Sequence, residues 1–380
     1  MSVRKRKWTT KSGEIKEAWI ADIGSGADRH IKTFERKQDA VAYESQINID
    51  VKAGVHVSPA KSPTVAQAGN DWIKASEAKG LERATVKQYR EHLRLHINPF
   101  LGNIKLADLN APTMRKFENT LREQGRSPAL TKMILTSLHG IFAEAVEHGR
   151  AAHNPVSNLR KNRKRKGDRT KAKLKVGIDI PTFEEVSKII AAARGHWRPC
   201  IIVAAFTGLR ASELRGLRWC DVDFDDSSLV VEQRADRFQA IAAPKSAAGR
   251  RRVPFGPFVA NTLKEWKLKS PKNELDLVFP NTVGKIERHA NLVQRGFIPT
   301  VERALGEAKY TGLHCLRHFY ASWCIDRGLA PKVIQERMGH SGIAITFDRY
   351  GHLFPRDDDA AEIEAAELAV VNATQMRHGG

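Results

Sequence analysis

Residues 160–175, RKNRKRKGDRTKAKLK, limit what this chain can become more than any other stretch. Ten of them are Lys or Arg, one (Asp168) is acidic, and almost none is apolar. Such a run has nothing to bury against the cost of ordering its backbone, so it reads as an extended linker over 159–178. The remainder of the 380 residues must then form separate cores on either side of it. Its charge suits tracking along a row of phosphates, each neutralised contact adding salt-dependent affinity. A solvated spacer with no further role is the plainer reading.

The same bias runs through the whole chain. Lys and Arg number 63 against 43 Asp and Glu, a net charge of +20, and an excess of that size implies a polyanionic partner such as nucleic acid. A merely soluble basic protein is the competing explanation. A hydrophobic content of 41% is enough for folded cores. Cys200, Cys220, Cys315 and Cys324 form no C-x-x-C pair and read as small core residues in a reducing cytosol. No apolar run reaches membrane-spanning length, and the basic start is followed by no apolar stretch, so a cytoplasmic protein is expected.

Taken in order, residues 1–55 open with Arg4-Lys5-Arg6-Lys7. They continue with two strand-like runs, Glu17–Ile23 and Arg29–Phe34, and a helix over Asp39–Ile49. Gly54–Pro63 reads as a linker. Residues 64–158 read as all-helical: Val86, Tyr89, Leu93 and Ile97 recur at helical spacing, Asn110-Ala111-Pro112 starts a helix that Gly125 ends, and Ser127-Pro128 starts another closed by Gly149. Residues 179–355 are mixed. Thr182-Phe183-Glu184-Glu185 opens a helix as a capping box, Arg198–Phe206 reads as a buried helix broken by Gly208, and short strands flank Asp225-Asp226-Ser227. Residues 356–380 turn acidic, with Asp357, Asp358, Asp359, Glu362, Glu364 and Glu367 interleaved with apolar residues as in an amphipathic helix.

The chemistry-bearing residues sit in the mixed region. Thr207-Gly208-Leu209-Arg210 is followed by Glu213. About a hundred residues on come His314 and Arg317 as H-x-x-R, then Gly339-His340, then Tyr350 ten residues beyond that histidine. A phosphodiester under attack gathers negative charge on its non-bridging oxygens, and fixed cationic donors stabilise it best. Arg210 and Arg317 suit that task because a guanidinium binds oxygens in bidentate fashion. His314 and His340 can donate to phosphate or exchange protons near neutral pH. A phenol with a pKa near 10 needs such surroundings before it attacks anything. His318 lies four residues after His314 and raises a rival idea, a metal pair on one helix face. No third ligand and no adjacent carboxylate accompany it, so a packing role is favoured. Glu213 could orient Arg210 or simply favour the helix dipole.

TGLRASEL, HCLRH and GHSGIAITFDRYGHLF, in this order, resemble the boxes of the tyrosine recombinase (phage integrase) family over Thr64–Phe354. The resemblance implies a multidomain, mainly α architecture. Its parts would be a small-sheet-plus-helix arm-site-binding domain at 1–55, a helical (SAM-like) core-binding domain at 64–158, and a mixed α+β catalytic domain at 179–355. The acidic tail at 356–380 would pack on a neighbouring subunit, with a self-packed end as the alternative. It implies catalytic roles for Arg210, Lys245, His314, Arg317 and His340, with Tyr350 as nucleophile in a 3′-phosphotyrosine intermediate and Glu213 in support. Lys245, in Pro244-Lys245-Ser246, would sit at a hairpin tip beside the leaving 5′-oxygen. Arg250 and Arg251, with linker residues Arg160, Lys161, Arg163, Lys164, Arg165 and Lys166, would contact DNA. No metal or nucleotide cofactor is implied, since transesterification conserves the phosphodiester. The implied partners are double-stranded attachment-site DNA, three further copies of the chain in a tetramer, and DNA-bending and directionality proteins. No membrane is involved, and the protein would be nucleoid-associated when bound to DNA. The N-terminal segment favours an integrase of a prophage or mobile element. The alternatives are a non-catalytic DNA-binding regulator on the same fold, which would need no nucleophile, and a metal-dependent nuclease, which would need clustered carboxylates.

Overall fold

The computed structural model describes residues 2–10, 13–23, 30–52, 57, 62–157, 173–355 and 367–368. The linker residues Arg160, Lys161, Arg163, Lys164, Arg165 and Lys166, and the acidic run from Asp357 to Glu364, lie outside them. The chain divides into two compact units, 1–168 and 169–380.

The first unit begins with an antiparallel sheet in the order β1 (Ser2–Thr9), β2 (Ile15–Ile23), β3 (His30–Phe34). Helix α1 (Lys37–Lys52) packs on it around buried Ala21 and Ile47. The basic opening is therefore a strand, where its composition suggested a charged lead-in. β1 has almost no apolar side to announce it, because seven of its eight side chains are exposed. It is held by the ladder with β2, from Ser2 opposite Asp22 to Thr9 opposite Ile15. Lys5 and Lys7 both pair with Glu17, and cross-strand opposite charges stabilise such an edge.

A helical bundle follows: α2 (Val65–Ala78), α3 (Arg83–His92, prolonged by a π-turn over Leu93–Ile97), α4 (Asn98–Leu101), α5 (Ala111–Glu123) and α6 (Pro128–Glu147). The starts are capped by side chains: Thr64 and Gln67 form a reciprocal box, Asn110 accepts from the Thr113 amide at 3.0 Å, and Ser127 from the Leu130 amide at 3.2 Å. Ile134, Leu138, Ile141 and Phe142 of α6 are fully buried against α2 to α5.

The second unit is built around α8 (Trp197–Thr207), eight of whose eleven residues are buried, as an all-round apolar helix must be. Around it pack α7 (Phe183–Ala192), α9 (Ala211–Gly216), α10 (Pro257–Lys269), α11 (Ile298–Leu305), α12 (His314–Asp326), α13 (Pro331–Met338) and α14 (Ile343–Tyr350). A three-stranded antiparallel sheet in the order β4 (Val222–Asp223), β5 (Ser228–Val231), β8 (Arg251–Pro254) covers one side. A separate ribbon, β6 (Arg234–Ala235) with β7 (Ile241–Ala242), is inserted between β5 and β8. Cys200, Cys315 and Cys324 are buried as expected, but Cys220 is exposed, because it lies on the 3-10 turn Trp219–Asp221 rather than inside an element.

Among the described residues no helix is long and apolar enough to cross a membrane.

Candidate active site

The end of α8 sets the geometry. Gly208 adopts φ +62°, and a Cβ there would lie 2.4 Å from the Tyr320 ring, so glycine is required on both counts. The reversal puts Arg210 at the N-cap of α9, where its amide donates to Glu213 Oε2 at 2.9 Å and its Nη1 to Oε1 at 2.6 Å. Arg210 Nη2 donates to the Gly339 carbonyl at 2.9 Å.

Glu213 is itself buried, and its other partner is Arg251 of β8, whose Nη2 donates to Oε2 at 2.8 Å and Nη1 to Oε1 at 3.2 Å. Burial alone would raise the Glu213 carboxyl, but the Arg251 bonds and the Arg251 and Arg210 charges outweigh it and hold its pKa at about 2. Arg251 also donates through Nε to the Arg337 carbonyl at 2.7 Å and through Nη1 to the Gly249 carbonyl at 3.0 Å. This corrects the assignment of Arg251 to DNA: its guanidinium turns inward and braces the pocket. Strand parity is the cause, since Arg251 and Val253 point into the unit while Arg252 and Pro254 point out. Arg250, by contrast, is exposed, with Nε 3.3 Å from Glu232.

Arg317 lies one turn into α12, buried, with Nη1 donating to the Gly208 carbonyl at 2.6 Å and Nη2 to the Met338 carbonyl. Burial and then the Arg210 charge push its pKa down to about 9. Arg210 and Arg251 thus flank one carboxylate, with Arg317 near enough to feel its charge, and the positive charge left over suits an anion. The histidines register it. His340 falls to about 3 through burial, then Arg317, Arg210 and Arg349. His314, exposed at the first position of α12, falls to about 4 through the protein enclosing part of its ring, then Arg317 and Arg349.

Tyr350 ends α14 with 1% exposure, one turn after buried Thr346. Its ring lies parallel to that of His340, centroids 6.5 Å apart, and His340 Nδ1 is 2.9 Å from Thr346 Oγ1. The Tyr350 hydroxyl is 2.7 Å from His318 Nδ1, and the His318 ring meets His314 edge to face at 4.5 Å. Burial raises the Tyr350 pKa to about 12 against the opposing pull of Arg317 and Arg349. Arg210, Glu213, His314, Arg317, His340 and Tyr350 therefore meet in one pocket of one chain.

Lys245 is placed differently from the sequence expectation. The tip of the inserted ribbon is residues 236–240, so Lys245 lies on the return limb after β7, just before the 3-10 turn Ala247–Gly249. That turn borders the pocket: its Gly249 carbonyl holds Arg251, and a Cβ on Gly339 would lie 2.9 Å from the Ala248 carbonyl. His352 donates to the Leu174 carbonyl at 2.7 Å, fastening the end of the described helices to the start of the unit. Among the described residues no group of three or more His, Cys, Asp or Glu could hold a metal ion.

Two features escaped the sequence reading. The Arg251–Glu213 pair was legible only through strand parity inside a run of three arginines, and the His318–Tyr350 bond joins residues that no spacing rule connects.

A buried phenol set among arginines and histidines is an arrangement chemically suited to a phosphodiester, whose developing negative charge fixed cations stabilise. Two family models match the chain: the phage integrase family over residues 181–356 and the phage integrase central domain over 65–162. The chain belongs to the tyrosine recombinase (phage integrase) family. It is 27% identical to a tyrosine recombinase XerC-like protein of Caldanaerobacter subterraneus subsp. tengcongensis over 90% of this chain and 94% of that protein. In fold it resembles the Tn1549 transposon integrase in complex with a circular intermediate DNA, with a TM-score of 0.64, 21% identity, and coverage of 81% of this chain and 100% of the other. It also resembles a lambda integrase tetramer bound to a Holliday junction, with a TM-score of 0.58 at 17% identity over 88% and 95% of the two chains.

Proposed function

We propose that this recombinase is an integrase of a prophage or mobile element, cutting and rejoining DNA through Tyr350. The phenolic oxygen attacks the scissile phosphorus, forming a 3′-phosphotyrosine as the bond to the 5′-oxygen breaks. Arg210 and Arg317 hold the non-bridging oxygens. A guanidinium has five N–H donors, so the two bonds that Arg317 gives to carbonyls leave donors for phosphate. His314 and His340 donate to the same oxygens, Lys245 protonates the leaving 5′-oxygen, and Glu213 fixes Arg210. A 5′-hydroxyl from a partner duplex then attacks the phosphotyrosine, so no phosphodiester is lost and no external energy is needed. Two duplexes exchanged in this way occupy four copies of the chain on DNA. DNA-bending and directionality proteins would bias the outcome, and the work would take place in the cytoplasm.

The observation that carries this reading is the meeting of Tyr350 with Arg317, His318 and His340 inside a single chain, which supports attack by each protomer's own tyrosine. A non-catalytic regulator would have no use for a phenol buried among cations. Suicide-substrate trapping tests it. Wild type should form a covalent DNA adduct resistant to denaturation, and Tyr350→Phe should bind the same DNA and form none. An adduct from Tyr350→Phe would reject the assignment.

A further inference from the structure

His318 is the one group in hydrogen-bond contact with the Tyr350 hydroxyl among the contacts described, at 2.7 Å from Nδ1, and the roles proposed above leave it unused. It sits one turn beyond His314 on α12, is buried, and has the His314 ring edge-on at 4.5 Å. We propose that His318 is the general base of strand cleavage, taking the phenolic proton of Tyr350 on Nδ1 as the oxygen bonds to phosphorus and returning it when the strand is rejoined. This rests on the recombinase reading of the pocket.

The proton inventory closes. The Tyr350 O–H bond breaks as Oη–P forms, the proton moves to Nδ1, and the P–O5′ bond breaks with Lys245 supplying the proton to O5′. In rejoining, the attacking 5′-hydroxyl gives its proton to Lys245, and imidazolium His318 reprotonates the departing phenolate.

Five charged or titratable groups face His318. On its own helix these are His314 and Arg317, on α14 Tyr350 and Arg349, and from the segment before α7 Asp179. Burial and then His314, Arg349 and Arg317 hold His318 down at about 3. The resting proton therefore belongs on the phenol. An entering phosphate offsets the Arg317 and Arg349 charges, and the growing Oη–P bond acidifies the phenol. Both changes move the proton toward Nδ1 only when DNA occupies the pocket.

The test is single-turnover adduct formation on a suicide substrate, comparing wild type with His318→Asn, which keeps a polar atom near the Nδ1 position but takes no proton. DNA binding, measured alongside, reports folding. Positioned acid–base groups contribute roughly 10²–10⁴-fold, so His318→Asn should slow the adduct by at least about 10² with binding retained. Its rate should then rise with pH toward the phenol's own ionisation, whereas the wild-type rate levels off once His318 is neutral. A bridging sulfur in place of the 5′-oxygen leaves without a proton. It should rescue a defect on the leaving-group side, as in Lys245→Ala, and should leave His318→Asn slow. A His318→Asn rate within about twofold of wild type, or its rescue by the sulfur substrate, would overturn the assignment. A wild-type protein that forms no adduct at all would instead remove the recombinase reading beneath it.

Discussion

Replacing Arg251 by Met, which keeps much of the stem but removes the charge, would strip Glu213 of two hydrogen bonds and leave it buried with Arg210 alone. The depression of the Glu213 pKa from 4.5 to about 2 corresponds to roughly 3 kcal/mol, at ~1.4 kcal/mol for each tenfold change in acidity. Arg210 shares in that depression, and breaking one side of a buried pair costs on the order of 3–5 kcal/mol in comparable cases, so ~3 kcal/mol is the expected order of the loss. For a unit of this size a loss of ~3 kcal/mol lowers the melting temperature by about 6–12 °C. Scanning calorimetry of wild type, Arg251→Met, Glu213→Gln and the double variant measures it. The double variant should lose less than the sum of the singles, because removing both charges leaves no stranded ion. The pH dependence has a definite sign. Glu213 titrates lower in the folded state than in the unfolded, so its contribution is fully present above about pH 4.5, declines below that, and is gone near pH 2. A loss below ~1 kcal/mol for Arg251→Met, or strict additivity in the cycle, would refute the bracing role argued from these contacts.

Other outcomes follow from the geometry of the second unit and from the charge of the linker sequence. Gly339→Ala should impair adduct formation more than DNA binding, since its φ of +61° and a Cβ 2.8 Å from Arg251 Nη1 would displace the guanidinium and the neighbouring His340. Mixing Tyr350→Phe with Arg317→Gln protein should yield no adduct, because each protomer's tyrosine serves its own pocket; restored adduct would mean that tyrosines are exchanged between protomers. Neutralising Arg163, Lys164, Arg165 and Lys166 together should flatten the salt dependence of DNA binding by roughly 3–4 in log–log slope, at ~0.9 per phosphate contact, as fluorescence anisotropy would read. Arg251→Met should leave that slope unchanged.

How much was legible in the sequence varied with how local the determining physics is. The ordered boxes sufficed to recognise the family and its mainly helical, multidomain architecture, because Arg210, His314, Arg317, His340 and Tyr350 each sit in a short segment with fixed neighbours. Helix starts such as Asn110, Ser127 and Thr182 were readable for the same reason, a cap bond spanning three residues. Strand β1 was hidden because its stability lies in a ladder and in charge pairs with Glu17, leaving no apolar alternation to detect. Lys245 was misplaced because two-residue strands carry too little periodicity to reveal the β6–β7 ribbon. The inward turn of Arg251 and the His318–Tyr350 bond are tertiary facts, set by strand parity in one case and by the packing of α14 on α12 in the other.

In the proposed mechanism the pocket of Arg210, Arg317 and His340 makes the Tyr350 oxygen a nucleophile that keeps hold of the DNA it cuts. Proteolysis of the trapped adduct and mass spectrometry of the DNA-linked peptide tests it directly. The expected product is a 3′-phosphate esterified to Tyr350, with a free 5′-hydroxyl on the released strand. A DNA linkage on any other residue, or cleavage without a protein–DNA bond, would contradict it.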